Sequence, residues 1–238
     1  DEYQDLLRIS VASAANDLRL GANEAPPAIM SIFVGEELGA IIDAIDDDTI
    51  YKEQGSKNMG GGATVLPHIH KDNTDRNRTS PFAFTGNNFE FRMSGSPLNL
   101  ARPNHLRNTI LADTLGSFAN SLEKSEDLDT DLRGLVRSTI KAHKRILYNG
   151  NNYSQEWVEE AERRGLLNLK STADATPLYL DDKNIGLFTR HGVLSETEMR
   201  SRCNIQLESY CTTLRIEADT MLDMARKDIL PAMLDYQG

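Results

Sequence analysis

The alternation of apolar and polar positions divides the chain into a mixed first part and a helical second part. Tyr3, Leu6, Leu7, Ile9 and the run Val11 to Ala15 fit a helix with one apolar face from Asp1 to Ala15. Asn16 to Pro27 breaks that period with Gly21, Asn23 and two prolines, and reads as a loop carrying Arg19 and Glu24. Ala28 to Phe33 (AIMSIF) reads as a buried strand. Glu36 to Asp46 reads as a short helix with Leu38, Ile41, Ile42 and Ile45 on one side. Asp46 to Gly62 is a surface connection, and Thr64 to Leu66 is a candidate strand leading into His68 and His70. Phe89, Phe91 and Met93 alternate with Glu90 and Arg92, which predicts a strand with apolar side chains on one face and a carboxylate beside a guanidinium on the other.

Past a loop from Gly95 to Pro103 the helical period takes over. One helix is expected from about Asn104 to Lys124, with Leu106, Ile110, Leu111, Leu115, Phe118 and Leu122 buried. After the acidic turn Ser125 to Thr130, a second runs from Asp131 to Leu147, with His143 near its apolar face. Ser154 caps a third, which contains Trp157 and ends before Gly165. A short helix stopped by Pro177 and another from Lys183 to Arg190 follow. Ser195-Glu196-Thr197-Glu198 is a capping box that opens the longest helix, about Glu196 to Met233. Leu207, Cys211, Leu214, Ala218, Met221 and Ala225 form a coiled-coil-like seam along it, and Pro231 is expected to end or bend it. The fold class is therefore α+β and mostly helical. Residues 1–103 hold the strands and clustered charge, and residues 104–238 form a helical bundle.

Composition changes this picture little. The 238 residues carry a net charge of −10, which argues against a nucleic-acid partner, and no apolar run reaches membrane-spanning length. Cys203 and Cys211 are the only cysteines. Eight helical residues place them about 12 Å apart, too far for a disulfide, so a reducing cytoplasm is the expected setting. Asp1 to Ala15 reads as helix already under way with no initiator methionine, and the expectation is a piece of something longer.

Candidate chemistry gathers between Asp75 and Arg92 (DRNRTSPFAFTGNNFEFR). Arg76 and Arg78, two apart, share a side in extended chain. Arginine forks suit phosphates and carboxylates, and the Glu90 carboxylate near them could hold a divalent cation. An ion-pair ladder on a solvated sheet face fits the same pattern, as a plain surface turn fits Arg19 and Glu24. His68 and His70 could share a face and bind metal, or form a hydrogen-bonding pair at a strand end. The run Gly60-Gly61-Gly62 lacks the strand, lysine and helix start of a nucleotide loop.

RLGANEAPPAI (Arg19 to Ile29) and DRNRTSPFAFTGNNFEFRM (Asp75 to Met93) closely resemble type III glutamine synthetases. GVLSETEMRSR (Gly192 to Arg202) and IEADTMLDMARKDILPA (Ile216 to Ala232) extend the resemblance to the tail. It implies ATP-dependent ligation of glutamate and ammonia through γ-glutamyl phosphate, with Mg or Mn, in a homo-oligomeric ring. It further implies that Glu24 is the flap glutamate that helps deprotonate ammonium, that Arg19 and Arg92 bind substrate, that Arg78 and more weakly Arg76 bind phosphate, and that Glu90 ligates metal. Ala83 stands where type I enzymes carry a further arginine, and Asn88 where type III enzymes usually carry lysine. Family members are several times longer, so the 238-residue chain alone is expected to be inactive. A helical assembly protein that kept the sequence without the catalysis is the alternative.

Overall fold

A computed structural model describes residues 1–22, 24–51, 58–59, 69–70 and 80–237. It is mostly helical with a small sheet, as the pattern predicts. The chain opens with α1 (Gln4–Ser10) and α2 (Ala14–Arg19), followed by β1 (Ile32–Phe33), α3 (Gly35–Asp46), β2 (Asn58–Met59) and β3 (Ile69–His70). Next come β4 (Phe82–Phe84), β5 (Phe89–Phe91), α4 (Ala101–Leu122) and α5 (Leu128–His143). The last elements are α6 (Gln155–Arg163), α7 (Thr172–Ala175), α8 (Asp182–Arg190), α9 (Glu196–Met224) and α10 (Leu230–Gln237). β4 is central in a three-stranded sheet. It pairs in parallel with β1, Ile32 opposite Phe82, and antiparallel with β5, Phe82 opposite Phe91. β2 and β3 form a separate antiparallel pair.

The organising element is α1. Gln4, Asp5, Leu6, Arg8, Ile9 and Ser10 are all buried. Leu6 and Ile9 meet Leu106 of α4, Tyr179, Leu187 and Phe188 around α8, and Met199 and Cys203 of α9. Polar groups this deep need partners. Asp5 Oδ2 accepts from Asn184 Nδ2 at 2.8 Å and Asp5 Oδ1 from Lys183 Nζ at 3.0 Å. Gln4 Oε1 accepts from the Leu167 N–H at 2.8 Å. Arg8 Nε donates to the Leu169 carbonyl at 2.8 Å, and its Nη2 to Asp17 Oδ1 at 2.7 Å. A second cluster joins Val11, Leu20, Ala25, Met30 and Met93 below the sheet end. A third holds Ile29 against Trp157, whose indole stacks on Tyr148 at 3.9 Å.

Several elements depart from the pattern for local reasons. The first helix stops at Ser10, and the Ser13 hydroxyl accepts from the Asn16 N–H at 3.2 Å to start α2, so Arg19 ends a helix rather than riding on a loop. The strand expected over Ala28 to Phe33 is reduced to Ile32–Phe33, because Ile29 instead bridges to Asn168. Helix α4 begins at Ala101, not Asn104, with Asn99 Oδ1 accepting from the Ala101 N–H at 2.7 Å. Proline at its third position is tolerated, since a first-turn N–H has no intrahelical acceptor. Only Leu106 of α4's expected buried row is fully covered; Leu111 and Leu115 are more than half exposed. The second long helix is displaced to Leu128–His143, started by Asp127. The short helix α7 ends at Ala175, ahead of Pro177 as expected, and the proline does not interrupt the 3-10 turn Thr176–Leu180 that contains it. Nor does Pro231 end the last helix. A π turn over Ala225–Ile229 precedes it and α10 continues, the wider turn easing the clash that a proline ring makes with the preceding carbonyls. Along α9 the expected seam is not buried: Leu207 and Ala225 are partly covered, and Cys211, Leu214, Ala218 and Met221 are exposed. The capping box at Ser195 and the Ser154 cap form as expected. Both cysteines are free.

One ion-pair cluster ties α1, α4 and α8 together. Arg190 Nε and Nη2 each donate to Asp113 at 2.7 Å, His191 Nε2 lies 2.9 Å from Asp113 Oδ1, and the Tyr3 hydroxyl donates to Asp113 Oδ2 at 3.4 Å. The Arg190 bonds chiefly, with His191 adding, hold the Asp113 carboxyl down to about 2. A carboxylate depressed in the folded state stabilises above its unfolded pKa, and that contribution is lost as pH falls through the folded value. Between about pH 4 and pH 2 the chain is therefore expected to lose stability that an Asp113→Asn variant does not lose. Thermal unfolding across that range checks this, and parallel curves for the two proteins would contradict it.

Candidate active-site cleft

Four of the sequence-predicted residues converge on one cleft of about 620 Å³. Arg19 comes from the last turn of α2, Glu24 from the turn after it, Glu90 from the middle of β5, and Arg92 from just past the end of β5. Ser80, Pro81 and the segment Met93 to Pro97 complete the walls. Arg76 and Arg78 lie outside the described residues, as do His68, the glycine run Gly60 to Gly62 and the expected strand Thr64 to Leu66. His70 falls in β3.

The sequence places Arg19 and Arg92 73 positions apart, and packing brings them together. Arg19 Nη1 donates to the Met93 carbonyl at 3.1 Å and its Nη2 to the Arg92 carbonyl at 3.5 Å. Arg92 extends β5 in the sheet, its N–H donating to the Pro81 carbonyl at 2.8 Å. Its Nε and Nη2 both reach Glu90 Oε2, at 2.9 and 2.8 Å. Alternation along the strand explains that pairing, since residues two apart share a face. The Glu90 side chain is half exposed, so the pair is open to exchange for a ligand. Glu24 is exposed on a turn whose backbone is fixed independently of its side chain. The Gly21 N–H, with φ at +80°, donates to the carbonyls of Ala25 and Pro26 at 3.1 Å each, and Ala25 is buried. The Tyr153 hydroxyl also donates to the Glu24 carbonyl at 3.4 Å.

Asn16 is the residue that pattern reasoning missed. It is buried, and its Nδ2 donates to the Val11 and Met93 carbonyls at 2.8 and 3.0 Å while its Oδ1 accepts from Arg19 Nη1 at 3.2 Å. It thus fastens α2 to the end of β5 and orients the first arginine. A Cβ at Gly95 would stand 2.9 Å from Asn16 Oδ1, so this wall of the cleft requires glycine. The Ser13 cap was the available signal: a capping serine three residues ahead of Asn16 marks a helix start, not a loop.

The chemistry available is anion recognition. Two guanidiniums, one paired with Glu90 and the other bonded, among the described residues, only to Asn16 and backbone carbonyls, suit a ligand carrying carboxylate or phosphate oxygens, with Glu24 at the cleft's edge. A divalent cation fits less well. Among the described residues no group of three His, Cys, Asp or Glu side chains is placed to hold a metal, and Glu90 alone supplies one carboxylate where such an ion takes about six oxygen ligands. The described residues therefore do not make a Mg or Mn site by themselves.

Comparison with known proteins points to one family. Residues 131–238 match the glutamine synthetase C-terminal domain. All of the chain aligns at 45% identity with a glutamine synthetase of Butyrivibrio fibrisolvens, covering 34% of that protein. It aligns at 42% identity with the type-3 glutamine synthetase of Dictyostelium discoideum, again over its whole length and 33% of the relative. A glutamine synthetase of Bacteroides fragilis is 40% identical over 99% of the chain and 33% of its own length. Over its whole length the chain matches the C-terminal part of glutamine synthetases. It spans about a third of the length of these relatives. The match to the C-terminal glutamine synthetase domain covers α5 to α10, whereas the cleft lies ahead of it, in the region that only the full-length relatives share.

Proposed function

We propose that this chain supplies one side of the active site of an ATP-dependent glutamate–ammonia ligase. The observation that carries the reading is the convergence of Arg19, Glu24, Glu90 and Arg92 on a single cleft, from segments that the sequence keeps far apart. In this reading Arg19 and Arg92 bind the glutamate carboxylates. Arg78, with Arg76, binds the phosphoryl group of ATP and of γ-glutamyl phosphate. Glu24 takes a proton from ammonium, whose nitrogen then displaces phosphate. Glu90 contributes one ligand to Mg or Mn and the remaining ligands come from elsewhere in the synthetase. The site residues all fall within residues 1–103, and residues 104–238 form the helical support. The exposed apolar positions of α9 and α10, among them Leu214, Met221, Leu230 and Leu234, favour homo-oligomeric assembly, a ring in the complete enzyme. They also favour the second reading, an assembly module without catalysis. Two free cysteines fit a cytoplasmic setting.

The test is an assay of glutamate-dependent phosphate release from ATP in the presence of ammonium. The chain alone is expected to show none, because its described residues supply too few metal ligands. A glutamine synthetase of the relatives' length carrying this sequence is expected to turn over. In it, Arg92→Ala is expected to raise the glutamate KM about 10- to 100-fold, the loss of a charged hydrogen-bonding partner. An unchanged KM would remove Arg92 from the site, and turnover by the chain alone would refute the shared-site reading.

A further inference from the structure

A second cavity, of about 310 Å³, lies between α4 and α9, and none of the cleft's four charged residues lines it. Arg102 and His105 enter it from α4, Arg202 and Gln206 from α9, and Tyr179 from the 3-10 turn after α7. Arg102, His105 and Arg202 also line an adjoining hollow that leads outward. Among the described residues no carboxylate lines either space, which is unexpected in a chain with a net charge of −10.

The charges here lack counterparts among the described residues. Arg102 makes one long hydrogen bond, Nη1 to the Ala12 carbonyl at 3.4 Å, and no ion pair. Arg202 makes neither a hydrogen bond nor an ion pair with any of them. Glu198, one turn before Arg202, is occupied by the Ser195 N–H and hydroxyl, both at 2.8 Å. Burial, with the like charge of Arg202 adding to it, lowers the Arg102 guanidinium below its ordinary value. Tyr179 is an independent sign. Its ring is 5% exposed and packs edge-on against Phe188, and its hydroxyl has no hydrogen-bond partner among the described residues, although the side chain lines the cavity. The hydroxyl oxygen stays accessible, and a hydroxyl with no protein acceptor is free to donate to an occupant of the cavity.

We propose that this cavity binds a small anion, its carboxylate or phosphate oxygens accepting from Arg102, Arg202 and the Tyr179 hydroxyl. The site is separate from the cleft and serves a different occupant. A bound anion relieves the repulsion between the two arginines and gives the Tyr179 hydroxyl its acceptor, so it locks α4 against α9.

Calorimetric titration of the chain with inorganic phosphate, and separately with succinate, tests the proposal. Saturable binding of at least one anion that depends on Arg202 is expected. Phosphate alone would identify a phosphate-bearing ligand, and succinate alone a carboxylate. Arg202→Ala, a surface substitution on α9, is expected to weaken binding about 10- to 100-fold, and Tyr179→Phe about 10-fold. Arg92→Ala is expected to remove only binding in the cleft and to keep the binding that depends on Arg202. Absence of binding by both anions would overturn the proposal. So would binding lost in Arg92→Ala and retained in Arg202→Ala, which would place the anion in the cleft instead. Neither result bears on the ligase reading, whose test is turnover.

Discussion

Replacing Arg8 by alanine is expected to destabilise the chain by about 3–5 kcal/mol, the cost of leaving one partner of a buried ion pair unmatched. The Arg8 side chain is 1% exposed and Asp17 12%. Arg8 Nε and Nη2 donate to three acceptors, on α2 and on the segment before α7, and the substitution removes all of them. Asp17 would keep the Thr172 N–H at 2.6 Å, the Thr172 hydroxyl at 3.0 Å and the Tyr210 side chain. A loss of this size is a large part of the roughly 5–15 kcal/mol that holds a typical domain folded. Because both groups serve one network, the Arg8→Ala, Asp17→Ala double variant is expected to lose less than the sum of the singles. Urea unfolding at neutral pH measures all three. A loss below about 1 kcal/mol for Arg8→Ala would mean that water replaces the guanidinium and that the network does not hold α1 in place.

The largest effect on activity is expected at Glu24. In a glutamine synthetase carrying this sequence, Glu24→Ala should lower kcat by about 10²- to 10⁴-fold, the range for removing a positioned general base. Glu24→Gln should do nearly the same, since the amide keeps the shape but cannot take the proton. The glutamate KM should change much less, because the carboxylate is assigned to ammonium. The geometry makes this a clean substitution. The turn is held by the Gly21 N–H and the buried Ala25, not by the Glu24 side chain, so the variants keep their fold. A kcat within about threefold of the parent would take Glu24 out of the chemistry.

The sequence made the cleft's charged residues legible and left their supports hidden. Glu90 and Arg92 follow from period-two alternation, and β5 pairs them as that alternation requires. Arg19 and Glu24 stood out because glycine and proline bracket them, but pattern alone could not show that α2 carries Arg19 to the end of β5. Asn16 and Arg8 were invisible for one physical reason: a polar side chain buried among its partners looks, in one dimension, like a polar side chain in water. The exposed rows of α4 and α9 erred in the opposite sense. Helical periodicity reports which face is apolar, but not whether anything covers it, and here Leu111, Leu115 and Met221 remain open. Helix ends moved wherever a side-chain cap such as Ser13 or Asn99 competed with the periodic pattern.

The burial of α1 also sets an order of events in time. Gln4 and Asp5 find their partners 163 and 179 residues further on, at Leu167 and Asn184. Contacts so distant along the chain form slowly, because a long loop must close before they contribute. On a ribosome adding about 5–20 residues per second, the stretch between α1 and α8 takes on the order of 10 to 35 seconds to appear. Throughout that interval Leu6 and Ile9 have no α8 or α9 to cover them. A nascent chain paused before α8 therefore presents this apolar helix to whatever is nearby, and chaperone capture should be strongest there and fall once α9 has emerged.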